Sequence, residues 1–248
     1  ARFLYRVQRF AELFPEWFRI GTPQHLSDCA VAGSVSRGER LFLNNPSANR
    51  SEQSKPNREA MIEAALVGAH KSAFLSAFNL EQANRQFPVG VFRSSKASKA
   101  NAVFTGGSSA IDITGFNGDA FTLFELKTGT NIMVGALGEL LFYTNVIRDA
   151  AGPQAPFGFC DGEDGQASHS QGVQNAKSVR GILLVEQLHP LLEHPDLFQT
   201  INRAAQRLSA DGKVPLSIEG WMLSGFGNDP NDVQHGGPFF APIGQHPV

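Results

Sequence analysis

The stretch "SSAIDITGFNGDAFTLFELKTG", residues 108 to 129, decides the fold, because it predicts a β-hairpin whose second strand carries two charges among apolar residues. Asn117-Gly118 is a strong short-range signal for a two-residue hairpin turn. Side chains alternate along a strand, so Glu125 and Lys127 share one face while their apolar neighbours point to the other. Because an unpaired buried charge is costly, the two charges either neutralise each other or line an open site.

A third charged residue falls on the same face once the predicted hairpin closes. With the two-residue turn in place, Asp112 is predicted to pair with Leu123 and to lie diagonal to Glu125, with Cβ atoms roughly 7 Å apart. A three-residue turn would change this register. Two carboxylates so placed repel each other unless a cation lies between them, and Mg²⁺ or Mn²⁺ takes such oxygen ligands. Lys127 lies one pleat further, where it can orient a water molecule or neutralise charge developing on a phosphate.

The helix predicted over residues 131 to 150 adds a polar group to this site. Its sides are almost all apolar, yet Glu139 lies in its middle and Tyr143 follows one turn later on the same side. Because Glu is rarely buried without a partner, Glu139 is predicted to face the charged side of the hairpin. Pairing of Glu139 with Arg148 or with a backbone donor is the structural alternative.

The rest of the chain predicts a single mixed domain of the α/β or α+β class. The other predicted elements are a helix from about 58 to 78, a strand within 86–92, a loop over 151–178, a strand at 179–185, a helix within 194–212 and a strand at 214–223. Their order predicts a mixed central β-sheet flanked by helices, formed by residues 57–223. Residues 1–56 are predicted to be an extension packed on this core, and residues 224–248 an irregular tail.

The net charge of the chain limits how the protein can bind a nucleic acid. The chain has 248 residues and a net charge of −2, which excludes a uniformly basic nucleic-acid coat but leaves room for a local basic patch. One such patch is the loop "RSSKASKAN", whose Arg93, Lys96 and Lys99 either are simply solvated or contact a phosphate backbone. Three further arginines lie in the amphipathic opening segment, for which docking on the core is favoured over a nucleic-acid arm: Arg2, Arg6 and Arg9.

Cysteine usage and hydropathy favour a cytoplasmic location. Cys29 and Cys160 form neither a disulfide framework nor a metal-ligand spacing, which suits a reducing compartment. No run approaches the roughly 20 apolar residues that span a bilayer, and no signal segment opens the sequence, so no membrane partner is expected.

The combination of Asp112, Glu125 and Lys127 resembles the core motif of the PD-(D/E)xK nuclease superfamily. Asp112 is followed, after twelve intervening residues, by Glu125-Leu126-Lys127, and the flanking order of elements is similar to that of the superfamily over about residues 57 to 223. Members often place a Gln, followed four residues later by Tyr, on the helix after the motif. The matching positions here are Glu139 and Tyr143, so Glu departs from the usual Gln.

The resemblance implies a restriction-endonuclease-like fold and a Mg²⁺- or Mn²⁺-dependent nuclease acting on DNA in preference to RNA. Asp112, Glu125 and the Leu126 carbonyl would hold the metal, and Glu63 on the first helix would add a ligand; Glu59 is the alternative on that helix. Lys127 would orient or help deprotonate the attacking water. A restriction, defence or repair role would fit such an endonuclease, and cutting both strands of a duplex would usually need a homodimer.

Two other interpretations stay open. The same fold serves some members as a catalytically inert module that binds nucleic acid or protein, although the intact motif argues against it here. The chain could also be an unrelated α/β enzyme with a structural Glu125–Lys127 salt bridge. That interpretation predicts that Glu139 points away from both residues.

Overall fold

The computed structural model describes residues 2–16, 39–44, 57–104, 110–129, 134–161, 167–209, 213–227 and 237–243. The helices of these segments are α1 (Arg2–Leu13), α2 (Arg58–Val67), α3 (Lys71–Phe78), α4 (Gly135–Ala150), α5 (Ala167–Asn175) and α6 (Leu197–Ser209). The strands are β1 (Leu41–Leu43), β2 (Gln82–Pro88), β3 (Val91–Phe92), β4 (Ala102–Phe104), β5 (Ala110–Asn117), β6 (Ala120–Lys127), β7 (Phe157–Phe159), β8 (Ser178–Val185), β9 (Leu216–Ser224) and β10 (Phe239–Pro242). Among the described helices, none combines the length and hydrophobicity needed to span a bilayer.

The larger sheet is mixed, with strand order β10-β9-β8-β6-β5-β2. Strands β6, β8 and β9 run parallel to one another, whereas β2, β5 and β10 pair antiparallel with their neighbours. Parallel neighbours need a crossover connection. Helix α4 lies in the connection from β6 to β8, and α6 lies in the connection from β8 to β9. The predicted mixed sheet flanked by helices is therefore confirmed.

Helices cover both faces of this sheet, and the alternation of β6 decides which residues meet them. Leu123 packs in the core cluster of one face with Leu140 of α4. Phe124 and Leu126 pack in the cluster of the other face with Phe74 of α3, and the rings of Phe74 and Phe124 lie 4.9 Å apart. Burying such aromatic side chains contributes about 1.5–3 kcal/mol each. The predicted split of β6 into two faces is thus confirmed.

The N-terminal extension contributes to the domain in two places. Helix α1 buries Tyr5 and Leu13 in the same core cluster as α4. Strand β1 joins a smaller sheet of order β4-β3-β1-β7, where it pairs antiparallel with β3 and parallel with β7. Most of the loop predicted between residues 44 and 57 lies outside the described residues.

Four elements differ from the sequence-based prediction. The strand predicted within 86–92 is divided between the end of β2 in the larger sheet and β3 in the smaller sheet. The helix predicted from 58 to 78 is broken into α2 and α3 at Gly68, where the backbone leaves helical geometry and a Cβ would lie 2.8 Å from the Ala64 carbonyl oxygen. The loop predicted over 151–178 contains β7 and α5, and the tail predicted as irregular contains β10. Strands β7 and β10 are short and gain their hydrogen bonds from β1 and β9, so no local periodicity marks them.

The hairpin turn is also placed differently. Asn117 pairs with Ala120, so the two turn residues are Gly118 and Asp119 rather than Asn117 and Gly118. Gly118 has φ +57°, a conformation that glycine adopts without a steric penalty. The Asn117 side chain accepts a hydrogen bond from the Ala120 N–H at 3.1 Å, and this local bond favours the observed turn.

The displaced turn corrects the predicted register but keeps the faces. Thr114, rather than Asp112, pairs with Leu123, and the continuous ladder extends to Ile113 opposite Phe124. The change alters each pairing by two residues, so a side chain within this ladder keeps the face that the sequence predicted. Asp112 lies just beyond the ladder, and its carboxylate reaches β6 by accepting from the Leu126 N–H.

Strands β2 and β5 bend where Asp112 lies. Ile111 and Ile113 are two residues apart and should share a face, yet they pack in core clusters on opposite sides of the sheet. Their partner strand carries Gln86 in the left-handed region at φ +58°, just before Phe87 pairs with Ile111. A non-glycine residue in this conformation is uncommon and is enriched at functional sites. The bend frees Asp112 from regular strand packing.

Candidate active site

The charged side of β6 lies at the carboxyl end of that strand. Glu125 and Lys127 are both buried, and Asp112 of β5 is half-buried. Helix α2 approaches this end of the sheet with Glu59, and α4 approaches it with Glu139. The structure therefore brings together the three residues of the predicted motif with acidic residues from two flanking helices.

The ammonium group of Lys127 has three oxygen acceptors. Its Nζ lies 2.7 Å from Glu125 Oε1 and 3.0 Å from Glu59 Oε1, and it donates to the Leu126 carbonyl oxygen at 2.9 Å. Burial alone would lower the pKa of Lys127, but the negative charges of Glu125, Asp112 and Glu59 raise it above its ordinary value. Lys127 is therefore a cation in this arrangement, which suits charge neutralisation rather than proton abstraction.

The two motif carboxylates lie in a strongly acidic environment. Burial, and then the charge of Glu125, raise the pKa of Asp112 well above its ordinary value. Burial also raises the pKa of Glu125 to about 7, although Lys127 opposes this, and Glu139 contributes to the increase. Glu125 Oε2 is buried without a hydrogen-bond partner among the described residues. A buried acceptor of this kind is costly unless a donor or a cation reaches it.

The backbone of Leu126 connects the Asp112 carboxylate of β5 with the Lys127 side chain of β6. The Leu126 N–H donates to Asp112 Oδ2 at 2.8 Å, where a regular ladder would instead have paired it with backbone. The Leu126 carbonyl, predicted as a metal ligand, accepts from Lys127. The Lys127 ammonium thus occupies oxygens that the resemblance assigned to a divalent cation.

The two acidic residues of α2 have different partners. Glu59 contacts Lys127 directly. Glu63, the residue favoured by the resemblance, accepts from Gln86 Nε2 at 2.8 Å and lies 3.4 Å from Arg85 Nε. Glu63 is nevertheless close enough to Asp112 to raise its pKa. The side-chain contact to the site is therefore made by Glu59, the alternative weighed in the sequence, while Glu63 is held at the bend of β2.

The side chain of Glu139 on α4 is 38 % exposed rather than buried. Its Oε1 lies 4.0 Å from Nη2 of Arg6 on α1. Arg148, the partner considered from the sequence, donates to the Val214 carbonyl instead. The charge of Glu139 contributes to raising the pKa of Glu125, so the two carboxyls are within electrostatic range, although no described hydrogen bond or ion pair joins Glu139 to Glu125 or Lys127. Tyr143 is buried one turn later with its ring against Phe142.

The predicted basic loop lies on the smaller sheet. Arg93 is exposed and pairs with Glu39 at 3.5 Å. Lys96 and Lys99 are exposed in the β3–β4 loop, which Asn101 braces by donating to the Lys96 carbonyl at 2.7 Å. Contact of these side chains with the phosphate backbone of a nucleic acid remains a prediction. No described hydrogen bond or ion pair joins them to the motif residues.

A salt bridge that the sequence analysis missed holds the segment after β6. Arg58 at the start of α2 pairs with Glu186 at 2.5 Å, just beyond the end of β8. Glu186 also accepts from the Gly129 N–H at 2.7 Å, and Gly129 has φ +54°. This salt bridge ties α2 to the ends of β6 and β8, which lie side by side. Because Arg58 and Glu186 are 128 residues apart, no local pattern could reveal it.

The donor set suits a hard divalent cation in its chemistry, since it consists of carboxylate and carbonyl oxygens with one orphaned buried oxygen. Within the segments that the structure describes, no group of three or more His, Cys, Asp or Glu side chains is arranged to hold a metal ion. The predicted ligand groups have other partners instead. Lys127 contacts Glu125 and the Leu126 carbonyl, and Glu63 accepts a hydrogen bond from Gln86.

Comparison with known proteins adds no relative: no family model matches the chain, and neither a curated protein nor a solved structure is significantly similar to it. Function therefore has to be argued from the site itself.

Proposed function

We propose that this protein is a metal-dependent nuclease that hydrolyses phosphodiester bonds, with DNA as the expected substrate, on a restriction-endonuclease-like core. The observation that carries the proposal is the convergence of Asp112, Glu125 and Lys127 at one strand end, with Glu125 Oε2 buried and unpartnered. Two carboxylates with raised pKa values beside a buried lysine are typical of a functional site.

Asp112 and Glu125 would hold Mg²⁺ or Mn²⁺, with the Leu126 carbonyl as a further oxygen. The bound ion would polarise the phosphate and lower the pKa of a bound water molecule. Lys127 supplies a fixed positive charge beside these oxygens, where it can orient the water or offset negative charge that develops on the phosphate. Glu59 also holds the ammonium group, at 3.0 Å.

The alternative of an inert binding module has one observation in its favour. The Lys127 ammonium already neutralises Glu125 and engages the Leu126 carbonyl, so the site is compensated without a metal ion. In that case the acidic cluster would serve the fold, and the protein would bind nucleic acid or protein without cutting it.

Cleavage and metal-binding assays separate the two functions. Plasmid, linear duplex, single-stranded DNA and RNA are incubated with Mg²⁺ or Mn²⁺ and, as a control, with EDTA. We expect cleavage of at least one DNA substrate that EDTA abolishes. Absence of metal-dependent cleavage of every substrate would contradict the nuclease proposal.

Isothermal calorimetry with Mn²⁺ tests the ligands directly. We expect wild-type protein to bind the ion and Asp112→Asn to lose at least about tenfold in affinity, because the variant removes one anionic ligand. Asp119→Asn is the matched control, since Asp119 lies in the same hairpin but is exposed and pairs only with an exposed lysine among the described residues. Equal Mn²⁺ binding by wild-type protein and Asp112→Asn would favour the inert module.

A further inference from the structure

Helix α1 carries two arginines that share one aromatic ring. The guanidinium carbons of Arg2 and Arg6 each lie 4.7 Å from the centre of the Phe142 ring on α4. The residues are four apart, so they lie on the same side of α1. A guanidinium over an aromatic face is held by a cation–π interaction that leaves its N–H edge free to reach an anion.

Within the described part of the chain this pair has few polar partners. The Nε atoms of both Arg2 and Arg6 are buried without a hydrogen-bond partner there. Glu139 is the acidic residue beside Arg6, at 4.0 Å, which exceeds hydrogen-bond distance. Burial and the nearby charge of Arg2 lower the pKa of Arg6, so the two cations also repel each other.

The next arginine of the same helix shows what a structural role looks like. Arg9 donates to the buried Asp149 carboxylate and to Glu12 at 2.6 Å, so its terminal nitrogens are engaged by acids. The Nε of Arg9 is buried and unpartnered like those of Arg2 and Arg6, and its guanidinium also lies over a ring, that of Tyr5, so the three arginines differ in their terminal nitrogens. Those of Arg9 are paired with acids, whereas among the described residues those of Arg2 and Arg6 have no acid within hydrogen-bond distance. An anion supplied by a ligand would provide the missing acceptor.

The pair also lies beside the candidate active site. Glu139 and Glu125 are close enough to Arg6 for their charges to raise its pKa against the effect of burial. The side chain of Arg6 is 30 % exposed, so it is open to a ligand as well as anchored on Phe142. Arg6 is therefore within electrostatic range of the motif, on the same side as Glu139.

We infer that Arg2 and Arg6 form a phosphate clamp that binds a backbone phosphate of the nucleic acid next to the one at the motif. The ligand class is a phosphodiester, which accepts bidentate hydrogen bonds from guanidinium groups. The inference rests on the proposed function for its ligand but not for its geometry. The N-terminal extension thereby becomes part of the binding surface.

Measuring DNA binding under conditions that prevent metal-dependent cleavage tests the clamp. Fluorescence anisotropy with short labelled single-stranded and duplex DNA is recorded in EDTA over a series of salt concentrations. For the double variant Arg2→Gln/Arg6→Gln we expect Kd to rise roughly 10- to 100-fold at moderate salt, as two charge-assisted contacts are lost. The slope of log Kd against log salt should fall by about 1 to 2. Arg203→Gln, an exposed arginine on α6 that bonds to Gln199, is the control and should change neither value.

The outcomes separate the clamp from the nuclease proposal. If the double variant binds DNA with the affinity and salt slope of wild-type protein, the clamp is overturned while cleavage is unaffected. If the variant weakens binding but no metal supports cleavage, the clamp stands and the nuclease proposal fails.

Two further readouts guard against a purely structural effect. Relief of repulsion between Arg2 and Arg6 should leave the thermal midpoint of the double variant unchanged or raised; a lowered midpoint with unchanged Kd would overturn the clamp. Pyrophosphate should stabilise wild-type protein against heat and should not stabilise the variant. Wild-type protein that binds neither DNA nor pyrophosphate would also overturn it.

Discussion

Lys127→Ala is expected to lower the rate of metal-dependent cleavage by about 10²- to 10³-fold, the range seen when one preorganised charge-stabilising group is removed. The ammonium group is buried, charged and held by three oxygens, so water cannot easily replace it. Single-turnover cleavage of the best substrate from the panel measures the effect. Undiminished cleavage by this variant would eliminate the proposed mechanism.

Loss of the fold must be distinguished from loss of chemistry. Lys127 neutralises buried Glu125, and breaking a buried ion pair on one side costs about 3–5 kcal/mol. Circular dichroism therefore accompanies the assay, and Lys127→Arg provides a variant that keeps the charge but changes its geometry. We expect Lys127→Arg to fold and still cleave slowly. Lys177→Ala is the matched control, because Lys177 pairs with an exposed aspartate and is itself 75 % exposed.

Asp149→Asn is expected to reduce the free energy of unfolding by about 3–5 kcal/mol, the cost of removing one partner from a buried ion pair. The Asp149 carboxylate is 2 % exposed and has cations on both oxygens, Arg9 on Oδ2 and Lys213 on Oδ1 at 3.3 Å. The Tyr5 hydroxyl donates to Oδ2 at 2.7 Å. Asparagine keeps the volume of the side chain but leaves both cations without their shared anion. Urea unfolding at neutral pH measures the loss.

The pH dependence gives this prediction a sign. Burial alone would raise the pKa of Asp149, but Arg9 and Lys213 lower it below its ordinary value. A carboxylate whose pKa is lower in the folded state stabilises the protein above its unfolded pKa of about 3.9, and that stability is lost as pH falls further. The difference between wild-type protein and Asp149→Asn should therefore shrink below about pH 4. A difference that stays constant or grows on acidification would show that charge is not the cause.

Asp119→Asn is the control for this measurement too. Asp119 also pairs with a lysine, at 2.7 Å, but its side chain is 70 % exposed. Exposed ion pairs contribute about 0–1 kcal/mol, so the control should unfold within that range of wild-type protein. A comparable loss in both variants would indicate a general charge effect rather than the buried cluster around Asp149.

Local patterns predicted the parts of the fold whose signals lie within one element. Alternation along β6 separated Leu123 from Phe124, and the structure buries them in different core clusters. The hairpin and the mixed sheet flanked by helices were predicted from the same kind of evidence. The turn was predicted at the wrong position because Asn117-Gly118 is a strong sequence signal. The observed turn at Gly118 and Asp119 is favoured by a hydrogen bond that the Asn117 side chain accepts, and this bond depends on local backbone geometry.

Longer-range features were beyond local patterns. Strand β10 is identified by its pairing with β9. At the site, the grouping of Asp112, Glu125 and Lys127 was predicted from strand alternation, the hairpin turn and the spacing of the motif. The sequence offered two acidic residues on one helix, Glu59 and Glu63. Which of them contacts Lys127 depends on how that helix is oriented over the sheet, so only the structure identifies Glu59.

The sequence by itself determined the alternation of β6 and hence the shared face of Glu125 and Lys127, because side-chain direction along a strand follows from backbone geometry. Only the tertiary structure decided what meets that face. Packing placed Glu59 on Lys127, left one oxygen of Glu125 without a partner and brought Arg6 to Glu139. Contacts between elements distant in the chain depend on the assembled core, which no local period encodes.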